Sequence, residues 1–256
     1  MTGVTREFSI AHWAAWAPGV NDLLGWRAWI NGECSVSVGQ QPDVGFLPSL
    51  IRRRLDRVGR MALYVAWQCA GDRMGLPFVF ASRHGSLTRT VQLLDSLSQR
   101  EPLSPAAFSL SVHNSTVGLF SICRTDRSPS TSLAAGEYTL AAALLEGIGV
   151  LLDSGTAVLV VYADEVPPLE YQPYTGVKEP DFAVGMLLTA PNDGLPLYQL
   201  THSHSSAHSC RLDRELMRFL VEDVPVFQMG MGEPGLQLVR VDDRYSRSTH
   251  NPLAIP

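Results

Sequence analysis

The stretch from 131 to 164 constrains this chain most. Thr131-Ser132-Leu133-Ala134-Ala135 reads as an extended run meeting Gly136-Glu137-Tyr138, and a long apolar helix follows, with Leu140, Ala143, Leu144, Ile148, Leu151 and Leu152 at the buried positions. That helix stops at Asp153-Ser154-Gly155, and Ala157-Val158-Leu159-Val160-Val161-Tyr162-Ala163 is a continuous apolar strand. An extended run, a tight turn and a helix present one side chain at a helix N-terminus, the layout of a nucleophile elbow. Here the turn carries neither serine nor cysteine. Strand, helix and strand make a complete βαβ crossover, and an uninterrupted apolar strand belongs in the interior of a parallel sheet. The predicted fold class is therefore α/β: a mixed, mostly parallel sheet with helices packed on it.

Composition narrows the function classes. The chain has 256 residues, 45% of them hydrophobic and 18% charged, which is enough to bury a sizeable core and too apolar for a disordered chain. A net charge of −5 argues against nucleic acid or an anionic membrane as the main partner. The four cysteines, Cys34, Cys69, Cys123 and Cys210, form no CxxC pair, and reduced thiols in a cytoplasmic protein are the expectation. The longest apolar run, at 140–152, is interrupted by Glu146 and falls short of the roughly 20 residues a membrane span needs, so no transmembrane segment is expected.

Phe8-Ser9-Ile10 reads as a first strand, and Trp13, Trp16, Trp26 and Trp29 follow it. With only Arg27 interleaved, these rings suit the edge of a core better than a stacking platform. From Pro48 to Gly71 a helical pattern runs through Ile51, Leu55, Val58, Met61, Ala62, Val65, Ala66 and Cys69, with Arg52-Arg53-Arg54, Arg57 and Arg60 making one end basic. That end is either a solvated face or a docking patch for an acidic protein. Leu76 to Ala81 reads as a buried strand closed by Ser82-Arg83-His84-Gly85, and a helix through Val91, Leu93, Leu94 and Leu97 follows. Ser104-Pro105 is a capped helix start. His113, Asn114 and Ser115 then stand together in apolar surroundings, where such groups are either hydrogen-bonded in the interior or line a pocket. Phe182 to Ala190 and Leu195 to Thr201 are strand candidates joined by a hairpin signal at Asn192-Asp193-Gly194. His202, His204, His208 and Cys210 are zinc-type ligands at a spacing that matches no common zinc pattern, so no metal or other cofactor is expected. An amphipathic helix carries Leu212, Leu216, Phe219 and Leu220, and Leu236, Leu238, Val239 and Val241 mark a last strand.

Arg52-Arg53-Arg54-Leu55, Phe80-Ala81-Ser82-Arg83-His84-Gly85, the run from Leu103 through Ser109-Leu110-Ser111-Val112-His113-Asn114, and Ala134-Ala135-Gly136-Glu137 resemble the β-ketoacyl synthase N-terminal-like family. Members of that family are chain-length-factor-like proteins of bacterial aryl polyene and other type II fatty-acid-like synthesis systems. The resemblance implies half of a thiolase-like fold, taken as residues 1–223, while the tail over 224–256, rich in Gly, Pro and charge, is expected to be partly disordered. It implies a non-catalytic subunit that pairs with an active β-ketoacyl-ACP synthase, shapes its acyl-chain pocket, and meets an acyl carrier protein at Arg52, Arg53 and Arg54. Glu137, or Tyr138 after a shift of one residue, takes the position of the ketosynthase cysteine. Phe108, Val112, His113, Asn114, Thr116 and Phe120 are the pocket and gate residues. Thr131, Ser132, Leu133, Ala134 and Ala135 form the partner interface. A carboxylate or phenol at the elbow makes no useful acyl-enzyme, whereas a thiolate does. The rival is a hydrolase or acyltransferase with His84 or His113 as base and Ser82, Ser111 or Ser115 as nucleophile.

Overall fold

The computed structural model describes residues 7–20, 22–33, 39–175, 180–203, 212–229 and 235–241. Eight strands form one sheet in the order β3-β2-β4-β5-β1-β6-β8-β7: β1 Glu7–Trp16, β2 Phe78–Ala81, β3 Ser130–Leu133, β4 Val158–Asp164, β5 Phe182–Thr189, β6 Leu197–Ser203, β7 Val226–Met229 and β8 Gly235–Arg240. Only β3, β2 and β4 run parallel; every other neighbouring pair is antiparallel. The mixed α/β class stands, but the mostly parallel sheet is corrected to a mostly antiparallel one. The apolar run of β4 reports burial on both faces, and an antiparallel strand between two helical layers is buried in the same way. Antiparallel β5 is apolar for that reason.

The two layers are set by strand alternation. Val158, Val160 and Tyr162 of β4 pack with α7 (Thr139–Ser154), while Leu159, Val161 and Ala163 face α3 (Arg57–Ala70). Contact is closest at Gly147 of α7, where a Cβ would stand 2.4 Å from Val160 Cγ2. The single helix expected from Pro48 is instead two, α2 (Ser49–Arg52) and α3. Asp56 divides them, its carboxylate accepting from Gly59 N at 2.9 Å as the N-cap of α3.

Trp16, Trp26 and Trp29 are core residues, and Trp13 packs partly buried against the core. Trp26 and Trp29 of α1 (Leu23–Ile30) are buried edge to face with centroids 5.4 Å apart, and Trp29 stacks on Phe182. The hairpin expected at 191–194 is corrected: β5 and β6 do not pair, because β1 lies between them. Beyond residue 223, β7 and β8 extend the same sheet and bury Phe227, Met229 and Leu238, with α8 (Leu212–Val221) packed on β7. His204, His208, Cys210, Cys34 and residues 242–256 lie outside the described residues.

Candidate functional site

The C-terminal ends of the three parallel strands converge, the usual place for a site in such sheets. Asp164, the last residue of β4, is buried and organises the turn after β2. Its Oδ1 accepts from Ser82 Oγ at 2.7 Å, from Arg83 N at 3.0 Å and from His84 N at 3.3 Å. Ser82 Oγ in turn accepts from Gly85 N at 2.9 Å. Two backbone donors and a hydroxyl around one carboxylate make a closed, fully hydrogen-bonded knot.

Beside it, β3 ends at Leu133 and the chain turns. Gly136 takes a φ of +57°, which only glycine adopts without strain, and a 3-10 turn at Gly136–Tyr138 feeds α7. Buried Thr139 fastens the turn: its Oγ1 accepts from Ala135 N at 3.0 Å and donates to Gly136 O at 2.7 Å. Glu137 projects from the tip, 3.8 Å from an Nη2 of Arg83 that also donates to Thr175 O at 3.1 Å. A strand, a tight turn and a helix follow one another here, with Glu137 and Tyr138 in the turn.

His113 belongs to the same cluster. Its Nε2 lies 2.9 Å from Leu133 O and its ring covers Phe80 at 5.5 Å. Nδ1 lies against Gly85, where an added Cβ would be only 2.8 Å away. Leu133 O also accepts from Ser82 N at 3.3 Å, so one carbonyl joins all three segments.

The other expected pocket residues divide. Phe108, on α5 (Pro105–Ser109), is 63% exposed, and Val112 and Asn114 are also exposed. Thr116 and Phe120, on α6 (Ser115–Arg124), are buried; Phe120 meets Phe78 edge to face at 4.9 Å and fills the core on the α3 side. The α5 start is capped as expected, Ser104 Oγ accepting from Ala107 N. Thr131, Ser132 and Leu133 lie in β3 at the edge of the sheet, followed by exposed Ala134 and Ala135. The flanking helices α6 and α7 carry exposed Ile122 and Leu145.

Arg53 and Arg54 are exposed and Arg52 half-buried at the end of α2. Arg60 donates to Arg52 O, and Arg89 of α4 (Leu87–Ser98), paired with Asp56 at 3.7 Å, donates to Arg54 O, so two further guanidinium groups fasten the backbone of the patch. Arg89 comes from a distant segment and has no local signal. Glu165 is a second carboxyl the sequence leaves unmarked. It is buried beside Asp164, accepts from Thr88 N at 3.3 Å, and lines a cavity of about 760 Å³ with Asp56, Arg57, Arg89 and Asp181. Burial, reinforced by Asp56 and Asp181, raises its pKa above the usual glutamate value.

The nucleophile candidates are engaged elsewhere. Ser82 donates to Asp164, Ser111 Oγ to Phe108 O and Ser115 Oγ to Leu110 O. Among the described residues no histidine ring bonds a serine hydroxyl. Burial, helped by Arg83 and opposed by Asp164, holds the His84 imidazole below its ordinary pKa. Cys69 is buried near the end of α3 and Cys123 lies in α6, both thiols raised by burial, so neither is a thiolate at the elbow. Among the described residues no group of three metal-ligating side chains forms, and no helix is long and apolar enough to cross a membrane.

A family model described as "Beta-ketoacyl synthase, N-terminal domain" matches residues 26–219. The chain belongs to the β-ketoacyl synthase N-terminal-domain family. Among solved structures, this synthase-family chain is similar to a ketosynthase in complex with its chain length factor from Xenorhabdus doucetiae, at 25% identity and a TM-score of 0.78, over 91% of this chain and 99% of the matched one. It is also similar in fold to the ishigamide ketosynthase/chain length factor, at 16% identity and TM-score 0.59 over 77% of this chain and 67% of that one. A β-ketoacyl synthase from Burkholderia phymatum matches at 11% identity and TM-score 0.59, over 87% and 71% of the respective chains. No curated protein matches. The fold is thus thiolase-like and mixed α/β, as the motif resemblance implies.

Proposed function

We propose that this chain is a non-catalytic, chain-length-factor-like subunit that pairs with an active β-ketoacyl-ACP synthase and shapes the acyl-chain pocket of the pair in fatty-acid or polyene-type synthesis. The observation that carries the reading is the elbow: Gly136-Glu137-Tyr138 at the head of α7, with the Glu137 carboxylate 3.8 Å from Arg83. A condensing enzyme needs a thiolate there to accept the acyl chain, and Glu137 or Tyr138 takes its place. Cys69 and Cys123 lie in other elements.

Three features support pairing. The β3 edge, with its Ala134-Ala135 exit, offers backbone that a partner strand completes. Exposed Phe108 and Val112 lie close in sequence to His113, which is bonded to the elbow strand, and in a pair they would wall the partner's chain pocket. The similar structure from Xenorhabdus doucetiae is a complex of a ketosynthase with its chain length factor, and the matched chain is covered almost completely. The arginine patch at Arg52, Arg53 and Arg54, its backbone fastened by Arg60 and Arg89, fits an acidic carrier protein.

Co-expression with a neighbouring-encoded ketosynthase tests the reading. A stable complex is expected, with condensing activity that depends on both chains, and Phe108→Ala is expected to lengthen the products. A chain that stays a tight monomer and ignores every ketosynthase offered overturns it, and so does thioester turnover by the isolated chain.

A further inference from the structure

We propose that His113 is a positioning residue: its ring holds the wall segment 108–112 in register with the elbow, and through that register it sets chain-length specificity. The proposal rests on the chain-length-factor reading above. Leu133 O is the last strand carbonyl before the elbow and can only accept, so the 2.9 Å contact fixes Nε2 as the protonated nitrogen. The ring is closely packed on both sides. It is wedged between the Phe80 face at 5.5 Å and the Gly85 turn, and even a methyl group at Gly85 would press within 2.8 Å of Nδ1.

Each end of this wedge is anchored independently. The Gly85 turn is tied by Gly85 N to Ser82 Oγ and by Ser82 Oγ to Asp164. Leu133 O is held by Ser82 N as well as by His113. On the other side, His113 lies one residue after Val112 and five after Phe108, in a segment whose own fastenings are local, from Ser111 Oγ to Phe108 O and from Ser115 Oγ to Leu110 O. Arg89 Nη1 to Leu110 O adds one bond to α4. Leu110 also packs against the core on the α3 side, but among the described residues the hydrogen bond from the 108–114 segment to β3 is made by His113. A side chain that lies below Phe108 and Val112 in the chain yet ends on the elbow strand transmits the position of one to the other.

The test uses the full chain with His113→Asn, His113→Gln and His113→Phe. A glutamine amide reaches about as far as Nε2 and restores the bond; asparagine is too short, and phenylalanine keeps the ring without the donor. Amide exchange at 134–138 is expected to rise about tenfold in the Asn and Phe variants, the scale of one net hydrogen bond, and to return toward wild type with Gln, while β4 is unchanged. In the reconstituted pair, the Asn variant is expected to broaden the product-length distribution, and Gln to narrow it again. Exchange that is unaltered at 134–138, or raised equally across the sheet, overturns the clamp. Altered exchange with an unaltered product distribution overturns the specificity role. If the wild-type chain pairs with no ketosynthase, the function proposed above falls, and exchange in the isolated chain still decides whether the clamp exists.

Discussion

Two adjacent carboxyls at the end of β4 show how a single position decides chemistry. Asp164 is buried with three donors on one oxygen, so its charge is compensated and it serves as the knot of the turn. Glu165, next in the chain, is held only by Thr88, whose N lies 3.3 Å from Oε1 and whose side chain also bonds the carboxyl, and among the described residues it faces Asp56 and Asp181. Its carboxyl is therefore harder to ionise in the folded protein than in the unfolded chain. A carboxyl with a raised folded pKa stabilises the protein below its unfolded value and loses that contribution as pH rises through the folded value. Glu165→Gln keeps the acceptor for Thr88 N and removes the titration. The variant is expected to melt with wild type near about pH 4 and above it near neutrality, the gap widening as pH rises. Melting curves across that range check it, and a gap that narrows with rising pH counts against the assignment.

At the scale of elements, the helix layers are held by close approach at a few places. Alanine at 147 would gain about 1 kcal/mol of helix propensity over glycine, but its Cβ would fall 2.4 Å from Val160 Cγ2 and 3.2 Å from Leu188 Cδ1. Overpacking of that kind costs about 1–3 kcal/mol, and both neighbours are buried strand residues with nowhere to move. The clash wins: Gly147→Ala is expected to lower the melting temperature by about 3–6 °C, and thermal denaturation of the variant measures it. Local features of this kind were legible before the structure. The Ser104 cap, the glycine at the elbow and the apolar spacing of α7 are all written within a few residues of where they act. The split between α2 and α3 is hidden in the sequence because apolar spacing runs on through Leu55 and Val58 while Asp56 between them caps Gly59 N.

What the sequence could not reveal at the scale of the whole molecule is pairing between distant segments. Ser9 opposes Thr189, and Asp164 serves a turn some eighty residues earlier; no local periodicity encodes either partnership. The placing of β1 between β5 and β6 leaves β3 and β7 as the sheet's edges, and of these β3 leads directly to the elbow. An edge strand beside exposed Ile122 and Leu145 is a surface that a second chain can complete. If β3 is where a ketosynthase docks, Ile122→Lys with Leu145→Lys puts two charges into a desolvated contact, and a loss of at least about 3 kcal/mol, more than a hundredfold in affinity, is expected. Both side chains are already exposed, so the melting temperature of the isolated chain should move little. Size-exclusion chromatography of the co-expressed pair separates the outcomes: the double variant elutes alone with an unchanged melting curve if β3 is the docking edge. A pair that survives the two lysines moves the contact away from this edge.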